Sequence, residues 1–143
     1  DRHFSTVFQE LFEGGHAQLQ LTNKEDVLET GVEIIAQPPG KKLQNLSLLS
    51  GGERALTVIS LLFAMLRTKP TPFCVVDEID AALDEANVNR FAQFLRNLAD
   101  HSQFIVITHR KSTMEYANVM HGITMEEQGV SKLLSVKFME QAG

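Results

Sequence analysis

The stretch Leu49-Ser50-Gly51-Gly52-Glu53-Arg54 lies between a polar segment and a long apolar one, and it predicts the start of a helix. Ser50 followed three residues later by Glu53 has the spacing of a capping box. Capping does not explain Gly51 and Gly52, since each glycine costs a helix about 1 kcal/mol relative to alanine. Glycine lets a ligand approach the backbone, and free amides at a helix start attract phosphate. The stretch therefore predicts either a phosphate-binding helix start or an ordinary capped helix.

The residues after this turn predict an α/β unit. Residues 53–67 are apolar at almost every position, which is typical of a buried helix. Residues 73–76 form a continuous apolar run, which indicates a parallel strand covered on both faces. An amphipathic helix over 85–99 and a second apolar run over 104–107 follow. Strand, helix and strand in this order predict a βαβ unit with a parallel sheet.

The flanking segments predict smaller elements. Apolar residues at helical spacing predict a helix over 1–13, which Gly14-Gly15 ends. Residues 17–22 and 32–36 alternate between apolar and polar and predict a short antiparallel sheet. The remaining predictions are a polar turn at 23–26, a connecting loop at 41–48, a short helix over 112–118, and a closing hairpin of 119–126 and 132–139 with its turn at Gln128-Gly129. The expected fold class is α/β, a mainly parallel sheet with flanking helices plus a short antiparallel part and a closing hairpin.

Composition limits the class of protein. The 143 residues can form one domain or one lobe with a real core, and 43% hydrophobic with 22% charged residues is ordinary for a soluble globular protein. A net charge of −5 argues against a surface that binds nucleic acid broadly by charge. A single cysteine excludes an intrachain disulfide framework. With no secretory signal and no apolar run long enough for a bilayer, we expect a cytoplasmic protein without a membrane partner. The first residue is not Met, which indicates a fragment or a processed chain.

Asp77 and Glu78 directly follow the first apolar run. Carboxylates at the C-terminal end of a central strand lie where α/β sheets bind ligands. In a nucleotide hydrolase, the first acid suits a Mg²⁺ site and the second a general base that polarises water. The alternative is a strand that simply ends in polar loop residues.

His109 follows the second apolar run and could meet Glu78 across neighbouring strand ends. A neutral imidazole there could position water or bind a γ-phosphate. The alternative is a structural histidine, and only the pairing of His109 with the other two motifs favours the functional role. The other histidines show no metal-ligand spacing, and Cys74 is expected to be a core residue. The basic pairs Lys41-Lys42 and Arg110-Lys111 are expected to lie on a solvated surface.

The phosphate-gripping loop GxxxxGK[ST] does not occur in the sequence. The Gly40-Lys41 pair is followed by Lys42, and Ile35 stands where the earlier glycine would be. We therefore expect that the chain by itself is not a complete nucleotide hydrolase.

Four motifs in this order resemble those of ABC-type ATPases. Leu49 to Glu53 resembles the signature motif, residues 73–78 the Walker B strand, residues 82–84 the D-loop, and His109 the switch histidine. Three further segments resemble SMC (structural maintenance of chromosomes) proteins, most of all bacterial condensin-type members: Asp77-Glu78-Ile79-Asp80-Ala81-Ala82-Leu83-Asp84, Thr108-His109-Arg110-Lys111 and Gly129-Val130-Ser131-Lys132.

The resemblance implies a C-terminal lobe of an ABC-type ATPase head. Residues 1–13 would end the returning coiled-coil arm, residues 14–143 would form the lobe, and the N-terminal lobe of the same protein would bring the Walker A loop. Two heads, as in a homodimer, would sandwich ATP and Mg²⁺. The implied nucleotide contacts are Leu49, Ser50, Gly51, Gly52, Glu53 and Asp84, with Ser50, Gly51 and Gly52 reaching the γ-phosphate held by the opposite head. Asp77 would serve Mg²⁺, and Glu78 and His109 would be catalytic.

The implied function is ATP hydrolysis between engaged heads that organises and segregates chromosomal DNA. Further implied partners are a kleisin subunit like ScpA and DNA, and the implied location is the cytoplasm, associated with the nucleoid. One alternative is the head lobe of a Rad50-like or RecN-like DNA-repair ATPase. A second alternative is a kleisin-docking lobe that has no turnover by itself.

Overall fold

A computed structural model describes residues 1–23, 25, 29–100 and 102–137 of the chain. Within these ranges the elements are, in order, α1 (Arg2–Phe12), β1 (His16–Leu21), β2 (Val32–Gln37), β3 (Gln44–Asn45), a 3₁₀ turn (Leu46–Leu48), α2 (Gly51–Thr68), β4 (Phe73–Asp77), α3 (Glu85–Leu98), β5 (Gln103–Ile107), α4 (Lys111–Met114), β6 (Val119–Glu127) and β7 (Val130–Lys137). The predicted α/β class is confirmed.

The strands form three small sheets. β1, β2 and β3 are antiparallel, with Ala17 opposite Ala36. β4 and β5 form the parallel pair, in which Val75 lies opposite Ile105 and α3 makes the crossover. β6 and β7 form the predicted closing hairpin.

Two predicted elements differ in detail from the structure. The connecting loop predicted over 41–48 is wrong, because it contains β3 and the 3₁₀ turn. The short helix predicted over 112–118 begins at Lys111 and ends at Met114. Parts of the predicted turn at 23–26 and of the hairpin strand at 132–139 lie outside the described residues.

Gly14-Gly15 ends α1 as predicted. The preceding residue, Glu13, is left-handed at φ 57°, and its amide donates to the Gln9 carbonyl. Gly15 has φ 77°, and a Cβ added there would lie 2.3 Å from the carbonyl oxygen of Gln37. The chain can therefore turn from α1 into β1 only with a residue that has no side chain at this position.

The core lies between α1, α2 and α3. The apolar face of α1 is buried as its spacing predicts: Phe4, Val7, Phe8, Leu11 and Phe12. Aromatic rings link the helices, since Phe63 of α2 stacks on Phe94 of α3 at a centroid distance of 5.2 Å. Phe8 and Phe12 stack at 4.1 Å. The contact of Phe63 with Phe94 therefore joins the C-terminal halves of α2 and α3.

The parallel pair is covered by the described chain on one face only. Val76 is buried, and Phe104 and Val106 pack against the core, whereas the alternating side chains are about half exposed: Phe73, Val75, Ile105 and Ile107. The prediction that these strands are covered on both faces is therefore wrong for this part of the chain. The all-round burial predicted for the first long helix is also wrong, because Val58 and Met65 of α2 are about half exposed. β6 and β7 carry exposed apolar residues too, such as Ile123 and Leu133.

Candidate functional site

The turn before α2 is held by a complete capping box, as predicted. The Ser50 hydroxyl accepts from the Glu53 amide at 3.4 Å, and the Glu53 carboxylate accepts from the Ser50 amide at 3.1 Å and from the Ser50 hydroxyl at 2.7 Å. Arg54 adds a clamp, because its guanidinium donates to the carbonyls of Ser47 and Leu49. The first turn of the helix is therefore rigidly placed, with the Ser50 side chain at its tip.

Lys41 contacts the capping box of this turn, a contact that the sequence did not predict. Its ammonium lies 2.8 Å from the Glu53 carboxylate, so Lys41 is not simply a solvated residue. Partial burial raises the pKa of Glu53, but the contacts of its carboxylate with Lys41 and Ser50 lower that pKa by more, and the net shift is downward.

Removing Lys41 is expected to weaken the fold in a pH-dependent way. A group whose folded-state pKa is lowered stabilises the fold above its unfolded-state pKa, about 4.3 for Glu, and that stability is lost as the pH falls through the folded-state pKa. Lys41→Ala should lower the free energy of unfolding at pH 7 by about 0.5 kcal/mol, the scale of a partly exposed pair. Urea unfolding from pH 7 downward measures this difference, which should vanish at acid pH. Lys42→Ala is the matched control, and an equal loss in both variants would contradict the assignment.

Gly51 and Gly52 leave open space at the helix start. A Cβ added at Gly51 would meet no heavy atom of the described chain within 4 Å. At Gly52 it would make ordinary contacts, 3.7 Å from the Ala82 carbonyl and 3.8 Å from the Asp84 carboxylate. Packing within the described residues therefore does not require either glycine. The first amides of an α-helix have no acceptor within the helix, so those of Gly51 and Gly52 can bind a ligand.

A cleft of about 430 Å³ lies beside this helix start. It brings Ser50 and Gly52 together with Ala82 and Asp84, and Arg90 of α3 lies on its wall. Asp84 has a structural role as well, because its carboxylate caps α3 by accepting from the Asn87 amide at 2.9 Å. Leu49, the first residue of the quoted stretch, instead lies in the core with 4% of its surface exposed.

The strand ends carry the second group of predicted residues. Asp77 ends β4 and is exposed, and Glu78 follows in a left-handed conformation at φ 46°. The Glu78 amide donates to the Ile107 carbonyl at 2.9 Å, which joins the ends of β4 and β5. Nδ1 of His109 lies 3.5 Å from Oε1 of Glu78. The expected meeting of His109 and Glu78 across neighbouring strand ends is thus present in the structure.

The conformation of Glu78 is unusual for a residue with a side chain. A left-handed non-glycine residue costs on the order of 1–3 kcal/mol, and such residues cluster at active sites. Because Glu78 lies beyond the end of β4, the alternation of side chains along that strand does not set the direction of the Glu78 side chain. Both Glu78 and His109 are more than half exposed, so a substrate can reach them.

The loop between β4 and α3 contains a residue that sequence reasoning missed. Asp80 is 1% exposed, and its carboxylate accepts from the hydroxyls of Thr108 and Thr113. Arg110, expected on a solvated surface, is half-buried and donates from its guanidinium to carbonyls of the same loop. One feature of the sequence could have indicated this burial, because Asp80 lies between Ile79 and Ala81 in a segment too apolar for a solvated loop.

In residues 1–23, 25, 29–100 and 102–137, no group of three or more His, Cys, Asp or Glu side chains could hold a metal ion. Mg²⁺ needs only one or two protein carboxylates when phosphates complete its shell, and the exposed Asp77 fits that donor set. Among the described residues, no helix is long and apolar enough to cross a membrane.

Comparison with known proteins gives consistent matches. Residues 3–132 match the family model of the RecF/RecN/SMC N terminal domain. The Chromosome partition protein Smc of Bacillus subtilis (strain 168) is 66% identical over 138 residues, which cover 96% of this chain and 12% of that protein. The chain therefore spans about an eighth of the length of this relative.

Solved structures agree with the sequence match. One is an SMC ATPase that was studied for ATP-driven dimerization and DNA stimulated activation. It superimposes with a TM-score of 0.88 at 43% identity, and the match covers 95% of this chain and 82% of the chain of that ATPase. An Smc head domain with an extended coiled coil, bound to the C-terminal domain of ScpA and derived from Pyrococcus furiosus, gives a TM-score of 0.85 at 46% identity. That match covers 95% of this chain and 34% of the other.

Proposed function

The chain belongs to the SMC (structural maintenance of chromosomes) family, and we propose that it is the C-terminal lobe of an SMC ATPase head. Two such heads would bind and hydrolyse ATP between them, and this activity would organise and segregate chromosomal DNA. The observation that carries the proposal is the 3.5 Å contact between His109 and Glu78, which lie at the ends of two parallel strands. Ligands of α/β sheets bind at this edge.

Two observations support a C-terminal lobe, although the matching family model is described as an N terminal domain. The 143 residues contain a signature-like helix start and an acid pair but no GxxxxGK[ST] loop. The parallel strands expose a row of apolar side chains, including Val75 and Ile105, which a second lobe would cover. We assign residues 1–13 to the end of the returning coiled-coil arm and 14–143 to the lobe.

Glu78 and His109 would act on the nucleotide held in their own head. The Glu78 carboxylate would accept a proton from the attacking water, and His109 would orient that water or the γ-phosphate. Asp77 would hold Mg²⁺, which neutralises charge on the phosphates. The exposure of all three side chains leaves room for water and phosphate at the strand ends.

The helix start at Ser50 would act on the nucleotide of the opposite head. The Ser50 hydroxyl and the amides of Gly51 and Gly52 would bind the γ-phosphate, aided by the positive end of the helix dipole. The open space beside both glycines supports this role. Asp84 lines the same cleft and would belong to the surface between the heads.

Further partners are proposed from the family alone. Smc heads have been solved bound to a domain of ScpA, and we propose a ScpA-like kleisin as a partner of the full protein. DNA would be bound by the whole complex, which would lie at the nucleoid.

ATP turnover by this chain, alone and mixed with its N-terminal lobe, tests the proposal. We expect no turnover by the chain alone, because it lacks the phosphate-gripping loop, and turnover in the mixture with Mg²⁺ and ATP. Phosphate release measures both reactions, with the N-terminal lobe alone as control. If the lobes associate but the mixture stays inactive even with DNA and kleisin, the chain is a docking lobe rather than half of an ATPase.

A further inference from the structure

Asp80 is a buried carboxylate that the proposed mechanism does not use. One oxygen, Oδ2, accepts from the Thr108 hydroxyl at 2.7 Å and from the Thr113 hydroxyl at 2.5 Å. The other oxygen, Oδ1, is buried and has no hydrogen-bond partner among the described residues. Burying a carboxylate is costly, so a contact that served packing alone would be met better by apolar side chains of similar volume. The structure keeps a directional contact instead.

The two hydroxyls lie on either side of His109. Thr108 follows β5, Thr113 lies in α4, and they are separated from Asp80 by 28 and 33 positions along the chain. The Thr108 oxygen also accepts from the Arg110 amide at 3.0 Å. The backbone on both sides of His109 is therefore fixed through one carboxylate.

Arg110 adds a second connection between the same two segments. Its guanidinium donates to the carbonyls of Ala81 and Leu83. The Leu83 amide in turn donates to the Asp80 carbonyl at 3.1 Å. We call the group of Asp80, Thr108, Arg110 and Thr113 the Asp80 latch. It joins the segment that carries His109 to the loop that leads to Asp84.

We propose that Asp80 is a positioning residue for the hydrolytic step, acting through Thr108 and Thr113 to hold His109 against Glu78. The inference rests on the proposed function, since it gives the latch a role in that reaction. The latch also fixes the loop whose other end, Ala82 and Asp84, lines the cleft with Ser50 and Gly52. A displacement of the cleft side of the loop would therefore be transmitted to His109.

Thr113→Val in the full-length protein tests this role, with Thr113→Ser as matched control. Valine keeps the shape but removes one donor to Asp80, whereas serine keeps the hydroxyl. We expect Thr113→Val to lower kcat for ATP about tenfold with KM changed less than twofold, because small displacements of catalytic groups are costly. Thr113→Ser should restore most of kcat. Asp80→Ala, which removes both contacts, should lower kcat about 100-fold.

Hydrogen exchange of peptides covering 79–84 and 104–114 provides a readout that needs no turnover. Both peptides should exchange faster in Thr113→Val than in Thr113→Ser. Wild-type kcat in Thr113→Val, or an equal loss in both variants, would overturn the positioning role. If the wild type itself has no turnover, the proposed function fails. In that case, faster exchange in Thr113→Val than in Thr113→Ser would mean that the Asp80 latch only joins the two segments. Equal exchange in the two variants would refute the Asp80 latch as well.

Discussion

Replacing Glu78 with glutamine is expected to stop ATP turnover while ATP still holds two heads together. Glutamine keeps the size of the side chain but cannot accept the proton of the attacking water. General-base contributions are typically 10²- to 10⁴-fold, so kcat should fall by about that factor. The contacts that bind nucleotide across the two heads remain, and the dimer should therefore persist because its ATP is not consumed. Phosphate release measures the first effect, and light scattering with ATP and Mg²⁺ measures the second.

Glu115→Gln is the control for this experiment. Glu115 is an exposed residue at the end of α4 and lies outside both groups of candidate site residues, so its variant should hydrolyse ATP normally. Substantial turnover in Glu78→Gln would show that another group is the base. Failure of that variant to dimerise with ATP would also count against the role assigned to Glu78.

Ser50→Arg is expected to prevent the pairing of two heads. Its long side chain would fill the open space at the start of α2, where the phosphate of the opposite head is proposed to lie. The dissociation constant of the ATP-bound dimer, measured in a Glu78→Gln background, should rise by more than about 100-fold. Binding of ATP to a single head should be unchanged, because Ser50 is assigned to the opposite nucleotide. Loss of nucleotide binding by a single head would show that this assignment is wrong.

Two controls separate the effect of bulk from other effects of the substitution. Ser50→Ala removes the helix cap without adding bulk and should cost about 1 kcal/mol of stability, with pairing reduced far less than in Ser50→Arg. Ser47→Arg adds the same side chain at an exposed position outside the cleft and should pair normally.

The DNA-repair alternative has less support than the chromosome-partition one. Two relatives named Chromosome partition protein Smc are 66% and 67% identical to this chain. The docking-lobe alternative is decided by turnover in the mixture of lobes. A lobe that only docks does not need Glu78 and His109 in contact at the strand ends. This contact therefore favours hydrolysis.

Local features were predictable from the sequence. The capping box of Ser50 and Glu53, the apolar face of α1 and the position of Asp77 and Glu78 at the end of β4 all depend on residues a few positions apart. Hydrophobic periodicity and capping act over such distances, so the sequence pattern shows them directly. The family resemblance rested on the same short motifs.

Contacts between distant segments were decided by the tertiary structure. The sequence pattern indicated no separate role for Asp80 and a solvated surface for Arg110, yet folding buries the first and turns the second onto the loop of the first. The pairing of Lys41 with Glu53 and the open face of β4 and β5 were hidden for the same reason. An apolar run indicates that both faces of a strand are buried, but it does not indicate which part of the protein buries them. The sequence by itself determined the longer helices and strands and the types of group available for chemistry. The meeting of Glu78 and His109 followed from parallel pairing of neighbouring strands, but the fold alone decided which other groups meet, because hydrogen bonds and burial depend on distances in space rather than along the chain.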